Sequence, residues 1–210
     1  MLTQVVVKWP SQIGATDGSS AWQWREHLVR AHADAPWSAL SVSRGTHSLR
    51  IISTEPAASL WLRANLKALN EDATLGAMGP PTLISTSVCA CTAVQKTYRV
   101  SMGVIARAGE AWRGMDAATL AGQQRTQLED RFARQIAQRL AEFGVQIEPQ
   151  SLCLEIVDDG QARPIRLQAE GNAHALARKD MVLRTAWRLQ GEFAVGRLTH
   201  VGYGRLFAIP

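Results

Sequence analysis

The residues of this chain that could transfer protons near neutral pH are its five histidines, because imidazole titrates in that range. They are His27, His32, His47, His174 and His200. The acidic residues are scattered, and Asp158-Asp159-Gly160 is typical of a hairpin turn rather than of a metal pair. The sequence contains no phosphate-binding loop, dinucleotide fingerprint or Ser/His/Asp spacing. We therefore expect chemistry that uses histidine and arginine, with no metal ion and no cofactor.

A second group of candidate residues lies at the C-terminus, between Gly191 and Pro210. This run carries four glycines, two arginines, a histidine and a tyrosine, with apolar residues on both sides. Glycine allows another backbone, or a phosphate, to approach the main chain closely. The segment Gly202-Tyr203-Gly204-Arg205 could therefore offer backbone N–H groups and a cation to one anion. A glycine-bearing hairpin that closes a sheet, with its arginines in solvent, explains the same pattern.

The chain is basic, with a net charge of +5 at pH 7, and most of its cations are arginines. A basic balance favours an acidic partner, and arginine suits bidentate contacts with phosphate. No polybasic cluster stands beside an apolar helix and no run has transmembrane length, so nucleic acid is favoured over a membrane. The three cysteines, Cys89, Cys91 and Cys153, follow no zinc spacing and fit the reducing cytoplasm.

The first half of the chain predicts the element order β-α-β-β-α-β, which is the ferredoxin-like arrangement. On the first helix, Trp24, Leu28 and Ala31 share one face at helical spacing. The predicted elements are a strand at Leu2–Trp9, a helix at Ala21–Ala33, a hairpin at Leu40–Val42 and Ser48–Ser53, a helix capped by Thr54, and a strand at Thr82–Thr92.

The second half partly echoes this order. The predicted elements are a strand at Lys96–Arg107, a helix at Ala117–Phe143 capped by Asp116, strands at Ser151–Val157 and Pro164–Ala169, a polar mobile stretch at Gly171–Asp180, and one long strand or a bent pair at Met181–Val195. In the last strand, Arg184 and Arg188 share the face opposite Leu183 and Trp187. The long helix carries Arg125, Arg131 and Arg134 away from its apolar stripe, and either a solvated surface or an RNA-binding face explains them.

The run Gly196-Arg-Leu-Thr-His-Val-Gly202-Tyr-Gly204-Arg-Leu resembles the C-terminal glycine-rich loop of the CRISPR-associated RAMP superfamily. It is most similar to that of the endoribonucleases that cut CRISPR precursor RNA within each repeat. The resemblance implies an α+β fold with two ferredoxin-like halves, expected at residues 1–93 and 94–210. The residues then expected to contact RNA are Arg184, Arg188, Arg197, His200, Gly202, Tyr203, Gly204 and Arg205, with Arg125, Arg131 and Arg134 of the long helix.

The resemblance also implies a catalytic histidine, because these endoribonucleases often carry one on or just after the first helix. One branch has a Tyr-x-x-His pair there, and here the stretch Trp24-Arg-Glu-His27 matches the histidine but not the tyrosine. His32 and His47 are the further candidates, and a structural hydrogen bond is the alternative role for His27. In the expected reaction the RNA's 2′-hydroxyl attacks the neighbouring phosphorus, with a general base and cations around the phosphate.

The function that follows is a metal-independent endoribonuclease similar to the small processing enzymes of type I or type IV systems. Its expected partners are CRISPR repeat RNA and the other subunits of an effector complex, in the cytoplasm and without a membrane. Two alternatives stay open. The chain could be a non-catalytic RAMP subunit that binds guide RNA, or a ferredoxin-like module that binds a small anion.

Overall fold

The computed structural model describes residues 2–10, 20–45, 48–107, 114–167 and 173–210. The chain forms two compact units. The first contains Met1–Val88 together with His200–Gly202, and the second contains Cys89–Thr199 together with Tyr203–Pro210. The mixture of helices with two sheets agrees with the α+β class predicted from the sequence.

The first unit contains one four-stranded antiparallel sheet with the strand order β2-β3-β1-β4. Its order along the chain is the predicted β-α-β-β-α-β, with the second helical region divided into three helices. The elements are β1 Thr3–Pro10, α1 Ala21–Ala31, β2 Leu40–Gly45, β3 Ser48–Ser53, α2 Pro56–Ala64, α3 Leu66–Glu71, α4 Ala73–Gly76 and β4 Thr82–Ser87.

The core of the first unit lies between one face of this sheet and its helices. Val5, Val7 and Trp9 alternate along β1 and are fully buried, as β-branched and aromatic residues on the covered face of a strand should be. Trp24 and Leu28 on α1 are buried in the same cluster, as predicted for the inner face of that helix, whereas Ala31, predicted on the same face, is exposed in the last turn. This packing fixes which side of α1 is left for solvent.

The residues at the N-termini of α1 and α2 explain where these two helices begin. Ser20 and Gln23 form a capping box at the start of α1. The predicted cap of α2 at Thr54 is wrong. Glu55 occupies the cap position before Pro56, and the N–H of Thr54 donates instead to the carbonyl of Ala39 at 2.8 Å.

The second unit contains a sheet with the order β6-β8-β5-β9, and β7 pairs with β8. If β5, β6, β8 and β9 are taken as the first to fourth strands, their order is the order of the first sheet. The elements are β5 Cys89–Arg107, α5 Gly122–Glu142, β6 Glu155–Asp158, β7 Gln161–Leu167, β8 Ala173–Gln190 and β9 Leu206–Ala208. The domain boundary expected between residues 93 and 94 lies inside β5.

Several sequence predictions for this unit are wrong. The strand predicted from Ser151 begins at Glu155, because Pro149–Leu152 is a 3₁₀ helix, and the strand predicted up to Val195 ends at Gln190. The polar stretch predicted as mobile up to Asp180 is part of β8 from Ala173 onward, because β5 and β7 pair with it on its two sides. The long helix begins at Gly122 rather than at Ala117. The helix ends as predicted, with Gly144 at a φ of 81° just after the cap residue Phe143.

Arg178 on β8 explains why the helix starts late, and its importance was not predicted from the sequence. The side chain is fully buried, and its guanidinium donates to the carbonyls of Met115, Ala117, Asp159 and Gly160. Burial lowers the pKa of Arg178, against the opposing effect of nearby carboxylates. These hydrogen bonds hold the segment before α5 and the turn before β7 against β8, so residues 115 to 117 do not enter the helix.

No helix in the part of the chain that the structure describes is long and apolar enough to cross a membrane. The three cysteines are free thiols.

We expect the substitution Arg178→Met to lower the free energy of unfolding by about 3 kcal/mol or more, because each buried carbonyl left without a donor costs about 1–3 kcal/mol. Urea denaturation followed by circular dichroism measures this change. Arg166→Met is the matched control, since Arg166 is exposed on β7 and surface substitutions usually change stability by less than about 0.5 kcal/mol. Equal losses in the two variants would contradict the role assigned to Arg178.

Candidate active site

His27 lies on α1 with its side chain 41% exposed. The ring of Trp24, one turn earlier, meets the imidazole edge-on, with 6.2 Å between the ring centroids. Because Trp24 is itself buried in the core, this contact holds the imidazole at a defined place on the helix. His27 is therefore anchored on one side and accessible on the other.

Asp72 is the acidic partner of this histidine. It stands between α3 and α4, where its Oδ1 accepts the backbone N–H groups of Thr74 at 2.9 Å and Leu75 at 3.0 Å. These two bonds cap α4 in the usual way for an aspartate at a helix N-terminus. The side chain is only 9% exposed, so the position of the carboxylate is set by the backbone around it.

The structure brings two of the three candidate catalytic histidines to Asp72. The Nε2 atom of His27 lies 3.4 Å from Oδ1 and 3.3 Å from Oδ2 of Asp72. The Nε2 atom of His32 lies 3.7 Å from Oδ2, which is too long for a hydrogen bond. His32 is the less accessible of the two, with 15% of its side chain exposed. The third candidate, His47, lies outside the described residues.

The surroundings of Asp72 keep its carboxylate ionised. Burial alone would raise the pKa of Asp72, but hydrogen bonds from the Leu75 and Thr74 N–H groups, together with the hydrogen bond and charge of His27, lower it below its ordinary value. An ionised carboxylate beside a half-exposed imidazole is an arrangement suited to general acid–base chemistry. Within the described residues, no group of three or more His, Cys, Asp or Glu side chains is placed to hold a metal ion.

The glycines of the C-terminal loop are required by the packing of the chain itself. In the second unit, Gly204 has a φ of 71°, and a Cβ there would collide with the carbonyl oxygen of Val195. The N–H of Gly204 donates to the carbonyl of Met102 at 2.9 Å. Gly196 has a φ of 91°, and a Cβ there would lie 2.6 Å from the carbonyl oxygen of Val104. Because the N–H of Gly204 already donates to Met102, it does not add to the backbone N–H groups that Gly202-Tyr203-Gly204 was expected to offer to an anion.

The middle of the loop belongs to the first unit. The imidazole of His200 meets the ring of Trp22 on α1 edge-on, at 5.8 Å between centroids. A Cβ on Gly202, whose φ is 82°, would lie 2.9 Å from the Cα of Ser43 on β2. This part of the loop therefore lies against the helix that carries His27. The next residue, Tyr203, is half-buried, and burial raises its pKa.

Three of the arginines predicted to bind RNA have partners inside the second unit. Arg125 donates to Asp159 at 3.0 Å, and Arg131 donates to the carbonyl of Ile105 at 2.9 Å. Arg205 donates to Glu192 at 2.6 Å, with 13% of its side chain exposed. These contacts give the three arginines a structural role, and the sequence offered no signal for it because the partners lie 13 to 34 residues away along the chain.

The other predicted arginines are more accessible. Arg134, Arg188 and Arg197 are exposed. Arg184 pairs with Glu155, but both side chains are substantially exposed, at 41% and 56%. An exposed pair of this kind is weak, so a phosphate can replace the carboxylate. RNA contact by these four residues stays a prediction.

No protein-family model matches the sequence, and no curated protein matches it. Solved structures match over the whole chain. The type IV CRISPR RNA endonuclease Csf5 has a TM-score of 0.68 at 15% identity and covers 99% of this chain and 100% of its own. The CRISPR RNA processing endoribonuclease Cas6b has a TM-score of 0.67 at 11% identity, covering 100% of both chains. A Cas6 product complex has a TM-score of 0.60 at 13% identity, again covering 100% of both.

This chain has the fold of the Cas6 CRISPR RNA processing endoribonucleases. That result confirms the resemblance inferred from the C-terminal run, at the level of the fold. At these low identities the similarity lies in the order and pairing of helices and strands. The site residues of this chain therefore rest on their own geometry.

We expect Gly204→Ala to destabilise the protein, because a Cβ would meet the Val195 carbonyl and the residue would keep a left-handed φ. Gly122→Ala is the control, since a Cβ there meets nothing within 4 Å and the position starts α5. Thermal unfolding of both variants measures the difference. A Gly204→Ala variant as stable as Gly122→Ala would show that the loop tolerates a side chain at this position.

Proposed function

We propose that this protein is a metal-independent endoribonuclease that binds CRISPR repeat RNA and cleaves precursor CRISPR RNA. The observation that carries the proposal is the half-exposed His27 held against the ionised Asp72 in a chain with the Cas6 fold. The fold supports the substrate class, and the histidine supports the chemistry. The proposed reaction uses the RNA's own hydroxyl, the side chains of this chain and water.

In the proposed reaction the substrate provides its own nucleophile. His27 accepts the proton of a 2′-hydroxyl, the 2′-oxygen forms a bond to the adjacent phosphorus, and the bond from phosphorus to the 5′-oxygen breaks. The leaving 5′-oxygen takes up a proton from water, and His27 returns its proton to the solvent, so the products are a 2′,3′-cyclic phosphate and a free 5′-hydroxyl. Cations near the phosphate stabilise the charge that develops on its oxygens.

The accessible arginines are the proposed phosphate contacts. Arg134, Arg188 and Arg197 are exposed, and Arg184 can exchange its weak pairing with Glu155 for a phosphate. We assign Arg125, Arg131 and Arg205 a different role. Their contacts hold α5 and the C-terminal loop in place, so direct contact with RNA falls mainly to the exposed arginines. Within the loop, His200, Gly202 and Tyr203 remain the proposed RNA contacts.

The proposal includes two finer statements about organisation. Each unit is a ferredoxin-like half, which the shared strand order of the two sheets supports. The protein also keeps its cleaved product bound and acts as a subunit of an effector complex. The Cas6 neighbour solved as a product complex supports the first of these two statements by analogy.

The decisive test is single-turnover cleavage of labelled repeat RNA in the presence of EDTA. We expect the wild-type protein to cut and His27→Ala to be slower by about 10² to 10⁴, the usual contribution of a general base. RNA affinity should stay nearly unchanged, because the proposed phosphate contacts lie elsewhere. His174→Ala, which removes an exposed histidine of β8, should cut at the wild-type rate.

Three outcomes would count against the proposal in different ways. A His27→Ala protein that cuts at the wild-type rate would remove His27 from the mechanism. Loss of wild-type activity in EDTA would remove metal independence. Tight, salt-sensitive RNA binding with no cleavage would identify the chain as a non-catalytic subunit that binds guide RNA.

A further inference from the structure

We propose that Asp72 is a positioning residue that holds the proton of neutral His27 on Nε2, so that Nδ1 is the nitrogen that accepts the proton of the 2′-hydroxyl. The consequence for catalysis rests on the proposed function. The position of the proton does not, because it follows from contacts within the first unit.

The argument begins with the two oxygens that face the imidazole. The Nε2 atom of His27 lies 3.3 Å and 3.4 Å from the oxygens of Asp72. An ionised carboxylate only accepts hydrogen bonds, and a neutral imidazole carries one N–H and one lone pair. The favourable arrangement places the N–H on Nε2, toward Asp72, and leaves the lone pair on Nδ1. The bond that one ring nitrogen makes thus decides the role of the other.

The carboxylate holds this position without help from His27. Its Oδ1 is fixed by the N–H groups of Thr74 and Leu75, and little of the side chain is exposed. The only other titratable side chain paired with it in the described residues is His32, 3.7 Å away. A protonated His32 would favour the ionised carboxylate as well. Asp72 is therefore a fixed acceptor against which His27 orients.

The capping bonds predict what an amide would do at this position. Asn caps a helix about as well as Asp, so its oxygen should keep the N–H groups of Thr74 and Leu75. Its NH₂ group would then face Nε2 of His27 in place of Oδ2. Because that group is a donor, it requires the lone pair on Nε2 and moves the imidazole proton to Nδ1. Asp72→Asn should therefore preserve α4 and move the proton of the neutral His27 imidazole from Nε2 to Nδ1.

Nitrogen NMR of the protein with isotope-labelled histidine identifies the protonated ring nitrogen directly. At a pH where His27 is neutral, we expect the Nε2–H form in the wild type and the Nδ1–H form in Asp72→Asn. His27→Ala assigns the signal by its loss. Glu71→Gln is the matched control, because it removes the same charge from an exposed neighbour paired with Lys67, and it should leave the wild-type form.

Asp72→Ser supplies a second variant, since serine also caps helices but is too short to reach Nε2. We expect it to give a mixture of the two forms. A wild-type imidazole in the Nδ1–H form, or one whose form is the same in all three Asp72 proteins, would overturn the inference.

Cleavage tests the catalytic consequence. Asp72→Asn should lower the single-turnover rate at saturating RNA by roughly 10²-fold or more, as the wrong tautomer does in other imidazole-dependent enzymes. RNA affinity should not change, and adding Asp72→Asn to His27→Ala should cause no further loss. An equal loss in the His27→Ala background would overturn the positioning role.

The outcomes separate this inference from the proposed function. If Asp72→Asn moves the proton as expected but neither it nor His27→Ala slows cleavage, the Asp72 assignment is supported and the catalytic role of His27 is refuted. If His27→Ala abolishes cleavage while Asp72→Asn changes neither the proton position nor the rate, the proposed function stands and the Asp72 inference fails.

Discussion

The carboxylate of Asp72 is the interaction on which the candidate site depends. It caps α4 through the N–H groups of Thr74 and Leu75 and lies within 3.4 Å of the imidazole of His27 on α1. One buried charge therefore links the end of the helical region before β4 with the helix that carries the accessible histidine. Desolvation works against such a group, and the backbone donors and the histidine offset that cost. The same contacts that stabilise the local fold thus hold the accessible imidazole of His27 in place.

The C-terminal loop shows how packing and ligand binding can require the same residues. Gly196 and Gly204 adopt left-handed φ values and leave no room for a Cβ beside their neighbours, so their presence is explained without any ligand. The arginines divide by burial in the same way. Arg205 is held by Glu192 and lies over the ring of Phe207, with 5.0 Å from its guanidinium carbon to the ring centroid, whereas Arg197 is exposed.

The element order of the first unit and the burial of Trp24 and Leu28 on α1 could be predicted from the sequence, because β propensity, helical spacing and caps are local signals. The Asp72 contact could not, since it joins residues 45 positions apart and nothing near Asp72 marks it as more than a cap. Arg178 was missed for a related reason: it stands in a polar stretch that became a strand only because β5 and β7 flank it. His27 was found through the resemblance, while its partner and its more buried neighbour His32 required the structure.

The central claim is that the RNA supplies the nucleophile and the protein supplies the base. The most direct measurement replaces the nucleotide before the mapped scissile bond by its 2′-deoxy form and compares binding with cleavage by the wild-type protein. The account predicts that the substituted RNA binds as tightly as the unmodified repeat and is not cut. Cleavage of the 2′-deoxy RNA at the same bond would contradict it, because the attacking oxygen would then have to come from water.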